Sequence, residues 1–90
     1  MLKYLEITIF GQVQGVFFRS SAEKKAKELD ITGFAKNMPD GSVYIEAEGE
    51  EEKLKEFLAW CEIGPRNAKV EKIESKYSSD LKSFVDFQIG

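Results

Sequence analysis

The chain has 90 residues, a net charge of −3 and a single cysteine, and that length fits one domain, 1–90, able to bury roughly 60–65% of its unfolded surface. One cysteine excludes an internal disulfide, and the absence of histidine beside that lone thiol argues against a zinc site. The small acidic excess argues against a general nucleic-acid or membrane-surface role, and residues 1–6 place charges inside their apolar run, unlike a signal peptide or a membrane span, so a cytoplasmic protein is expected.

Residues 3–10 alternate, with Leu5, Ile7 and Ile9 on one face and Glu6 and Thr8 on the other, which predicts a strand with one buried face. A Gly-punctuated loop follows from Gly11 to Val16. From Phe18 to Leu29 the period becomes helical, with Phe18, Ala22, Ala26 and Leu29 on one stripe. Residues 31–37 read as a second strand, Met38-Pro39-Asp40-Gly41 as a turn, and 42–48 as a third strand with Val43, Ile45 and Ala47 inward. Gly49 is expected to break that strand. Glu50–Glu52 suit a helix start, and Leu54, Phe57, Leu58 and Cys61 form its apolar stripe until Gly64-Pro65 ends it. Residues 69–77 predict a strand whose Val70 and Ile73 break strict alternation, as a bulge does. Residues 84–89 predict a short terminal strand with Val85, Phe87 and Ile89 on one face. The order β-α-β-β-α-β plus that strand predicts an α+β, ferredoxin-like sandwich: an antiparallel sheet with both helices on one face and the other face in solvent. This fold hosts many functions and decides none.

Two segments carry chemistry. In Gly11-Gln12-Val13-Gln14-Gly15-Val16-Phe17-Phe18-Arg19, two glycines permit a tight turn of main-chain N–H groups just before a helix N-terminus, an anion cradle in outline. Arg19 opposes the helix dipole in the first turn, which makes physical sense if an anion sits between it and the amides. A surface Arg reaching a carboxylate beside an ordinary Gly-rich loop is the plainer alternative. The second segment runs from Gly33 to Val43, where Asn37 ends a strand beside a turn, a place asparagine favours for conformational reasons alone. Lys36 reads as an outward strand residue, Trp60 as packing at the edge of its helix stripe, and Cys61 as core.

Together these segments resemble the two signatures of the acylphosphatase family. In one, Gly-x-Val-Gln-Gly-Val precedes an aromatic and then Arg. In the other, Gly-aromatic-small-basic-Asn is followed by Asp-Gly-x-Val and a later Gly, here Gly49; Gly64-Pro65, Ala68 and Val70 extend the likeness. The resemblance implies metal-independent hydrolysis of small acyl phosphates to a carboxylate and inorganic phosphate, with no cofactor. It implies that Arg19 binds the phosphate with backbone amides of Gln14, Gly15, Val16, Phe17 and Phe18, and that Asn37 holds the attacking water. A monomer with no nucleic-acid or membrane partner is expected. RNA-binding domains of this fold need basic, aromatic central strands, and here the segment Tyr44–Glu48 is acidic; an interaction domain with a retired anion site stays open. The sequence points to no residue for the acyl group.

Overall fold

Alternating side chains build the sheet, and the two helical stripes cover one face of it. The computed structural model describes residues 1–90. In chain order the elements are β1 (Leu2–Gln12), α1 (Phe18–Glu28), β2 (Thr32–Asn37), β3 (Val43–Glu50), α2 (Glu51–Ile63), β4 (Lys69–Ser78) and β5 (Phe87–Ile89). The sheet order is β4-β1-β3-β2-β5. β1 lies between β4 and β3, and each β-α-β crossover skips one strand, which is the ferredoxin-like arrangement. A cluster of 17 buried residues fills the space between sheet and helices, with Leu5, Ile7, Ile9, Ile45, Phe18, Leu54, Phe57 and Phe87 among its larger members. Neither helix is long and apolar enough to cross a membrane.

Four departures from the sequence expectation have physical causes. β1 does not end at Phe10; Gly11 and Gln12 continue it by pairing with Val70 and Lys69. Phe10 pairs with Lys72 and Gly11 with Val70, which leaves Glu71 unmatched; this is the bulge that Val70 and Ile73 foreshadow. Gly49 does not break β3, since it pairs with Lys3 and the strand runs on to Glu50. The sheet is mixed, not wholly antiparallel, because β5 pairs parallel with β2. That strand has only three residues, and Val85, expected on its buried face, is 91% exposed.

The uncovered sheet face is also less open than expected. Residues 79–86 pass over it on the way from one sheet edge to the other. The Glu48 carboxylate accepts hydrogen bonds from the main-chain N–H groups of Lys82 and Phe84, and the Phe84 ring meets Phe34 edge-on at 5.8 Å. Glu48, expected outward in solvent, is therefore buried. Beside it the Tyr44 hydroxyl donates to Glu46, and burial, reinforced by that bond, pushes the phenol up to about 12.

Two outcomes test this packing. Gly11 has φ +130°, and a Cβ there would stand 2.2 Å from the Lys69 carbonyl oxygen, so Gly11→Ala should lower unfolding free energy by about 2–3 kcal/mol in urea titration. Burial raises the Cys61 thiol pKa and keeps solvent out. Alkylation of Cys61 should therefore track global unfolding, not native-state exposure.

Candidate active site

The first signature segment forms the turn between β1 and α1. Val13 is buried and anchors its near end. Gly15 and Phe17 both take positive φ, at 75° and 63°, and residues in such a turn aim their amides toward a common point. Phe17 is the N-cap of α1, yet its side chain carries no oxygen to cap the helix, and no acidic residue occupies the first turn. The Phe17 carbonyl oxygen accepts from Ser21 N at 3.1 Å and Ser20 Oγ at 3.2 Å. The first amide groups of α1 thus face outward with no side-chain cap, at an end carrying about +0.5 of a charge. Phe18 fixes the start of the helix by burying its ring 5.4 Å from that of Trp60.

Arg19 follows in that first turn, half-buried. Its Nη1 donates to the main-chain oxygen of Gly90, just after β5, so the end of the sheet steadies the guanidinium beside the amide turn. Asn37 is the last residue of β2 and is exposed. It has the same parity as Gly33 and Ala35, both buried, so it belongs to the helix-covered side of the sheet, beyond the edge of the core.

One side chain joins the two segments. Gln14 Nε2 donates to the carbonyl oxygens of Met38 and Ser42, both at 2.9 Å. Met38 N also donates to Ser42 O at 2.8 Å, and Gly41 N donates to Met38 O at 3.1 Å. Asp40 stiffens the same turn, accepting from Ser42 Oγ at 2.6 Å and Ser42 N at 2.9 Å. Those bonds hold its carboxyl below the ordinary aspartate value. The stability they add is present above that ordinary range and is lost as pH falls through the lowered value.

A cleft of about 250 Å³ lies where these parts meet. Among the expected residues, Gly15, Phe17, Phe18, Arg19 and Asn37 line it. Gln14 and Val16 do not: the Gln14 side chain is committed to the hairpin turn, and Val16 packs against the core. Three further lining residues, Val13, Ser20 and Ile89, lie outside the expected set. Val13 and Ser20 could have been found from their place within or beside the signature. Ile89 could not, since only the pairing of β5 with β2 brings it there.

Known proteins resemble this chain over nearly its whole length. The acylphosphatase family model matches residues 5–89. An acylphosphatase of Legionella pneumophila (strain Corby) is 52% identical over 81 residues, covering 90% of this chain and 88% of its own. One from Marinobacter nauticus is 43% identical over 82 residues, covering 91% and 89%. The crystal structure of acylphosphatase from Bacillus subtilis matches with a TM-score of 0.94 at 37% identity, covering 100% of this chain and 99% of that one. Since the match runs from Leu5 to Ile89, through both the amide turn and the Asn37 hairpin, the chain belongs to the acylphosphatase family, hydrolases that act on acid anhydrides.

Proposed function

We propose that this chain hydrolyses small acyl phosphates to a carboxylate and inorganic phosphate, by in-line attack of a water held by Asn37 on a phosphoryl group gripped by Arg19 and the amides of the turn. The observation that carries this reading is that an uncapped helix start, a guanidinium and a carboxamide all border one cleft.

The division of labour follows from the chemistry. A carboxylate is a good leaving group, so the substrate is already activated, and the protein has chiefly to position a water and stabilise charge on the phosphoryl oxygens. The amides of the turn, with Gly15, Phe17 and Phe18 bordering the cleft, supply fixed donors that need no reorganisation. Arg19 adds a planar fork that matches two phosphoryl oxygens. The Asn37 carboxamide offers both a donor and an acceptor, enough to orient a water opposite the leaving oxygen. The cleft lining holds no carboxylate or imidazole, so in this scheme the phosphoryl group itself accepts the water's proton. One chain supplies every group, which supports action as a monomer, and no metal or cofactor enters the scheme. On the far sheet face, Glu6, Glu46 and Glu48 sit among the aromatic residues, a poor surface for RNA.

Arg19→Ala should cut turnover by about 10²–10³-fold in a phosphate-release assay with acetyl phosphate, as for loss of one transition-state donor. Asn37→Ala should lower kcat more than it weakens inhibition by inorganic phosphate. Near-native turnover in either variant, with the native circular dichroism spectrum retained, removes that residue from the mechanism. Treatment with a chelator should leave the rate unaltered; loss of activity restored by a divalent ion overturns the metal-free scheme.

A further inference from the structure

Once the phosphoryl group sits in the amide turn, the acyl group must lie against whatever borders it, and part of that border is apolar. Val13, Phe17 and Ile89 line the cleft together with Arg19 and Asn37. Phe17 is the most telling. Its side chain is 76% exposed, and its backbone is left-handed at φ 63°, ψ 26°, a conformation that strains a bulky residue. Glycine or asparagine would relieve the backbone, and serine or aspartate would cap α1. Phenylalanine does neither, and most of its surface stays exposed. Strain of this kind gathers where a ligand is handled.

Ile89 is the second wall. Alternation along β5 sends Phe87 into the core and turns Ile89 to the same side of the sheet, where it remains 43% exposed. Its pairing with Ala35 sets it one strand away from β2, two residues short of Asn37. Arg19 is the only cationic side chain lining the cleft, and in the proposed mechanism the phosphoryl group takes it. An acyl group with a distal carboxylate finds no cation there to meet it.

We propose that Phe17 and Ile89 form an apolar rim that receives the acyl chain, and that the enzyme selects acyl phosphates with uncharged, apolar acyl groups larger than acetyl. This rests on the reading of the cleft as an acyl phosphate site. The rim acts on selectivity, not on the chemical step: burying an apolar acyl group beside the phosphoryl site raises kcat/KM for that substrate over a smaller one.

Acetyl phosphate and butyryl phosphate make a clean comparison, because their leaving carboxylates are nearly equal in acidity and differ only in two methylenes. Wild type should favour butyryl phosphate in kcat/KM by about 3- to 10-fold, the gain expected from partial burial of those methylenes. Phe17→Asn, which keeps a residue tolerant of positive φ, and Ile89→Thr should each bring the ratio toward about one. Inorganic phosphate has no acyl group, so its inhibition constant reads the amide turn separately. Equal rates on both substrates in wild type, or an unaltered ratio in both variants, overturn the rim alone. Variants that weaken phosphate inhibition as much as they lower the butyryl phosphate rate also overturn it, because the damage then lies in the turn. Wild type that cleaves neither substrate overturns the acyl phosphate reading and the rim with it.

Discussion

One carboxamide holds the site in register. Gln14 spends both of its N–H donors on carbonyl oxygens of the β2–β3 turn, and so fixes the β1–α1 turn against the segment that carries Asn37. Without that bridge the two signature segments would be neighbours in a sheet, free to shift by fractions of an ångström. Catalysis by positioning loses its advantage over such distances. The Asp40–Ser42 bonds serve the same end by stiffening the far side of the bridge. Residues outside the cleft lining thus set the geometry of those that line it.

The electrostatics of the cleft run against those of the whole chain. Net charge is −3, yet the cleft borders an uncapped helix start and one guanidinium, with no acidic side chain in its lining, so its potential is positive without a lysine patch. Leaving α1 without an N-cap side chain or a first-turn acid sacrifices helix stability of about 1 kcal/mol. The left-handed Phe17 adds a strain of about 1–3 kcal/mol. The core beneath absorbs both: Phe18 enters it one residue after the strained position, and Trp60 packs on that ring. Strength in the core is what permits weakness at the turn.

The sequence carried most of this, and its silences have physical causes. The alternation of Leu5-Ile7-Ile9 and Val43-Ile45-Ala47 is a direct print of a sheet with one buried face, and both strands form around those residues, each running two residues past its expected end. The helix stripes are equally plain. Gly49 misled because glycine is rare inside strands, but here β1 begins early enough to give it a partner in Lys3. Val85-Phe87-Ile89 imitates a longer strand, since side-chain period cannot reveal where backbone pairing stops. The burial of Glu48 depends on a segment more than thirty residues away crossing over it, and no local pattern records that. Arg19 and Asn37 could be named from the sequence through the family resemblance; Ile89 beside them follows only from the topology.

The shortness of β5 makes it the weak edge of the sheet. Three residues, paired on one side only, hold Ile89 at the cleft and carry the Gly90 oxygen that steadies Arg19. Such a segment opens at far lower free energy than the strands at the centre of the sheet. Mild denaturant should therefore loosen the support of Arg19 and the Ile89 wall of the cleft while the helices keep their ellipticity.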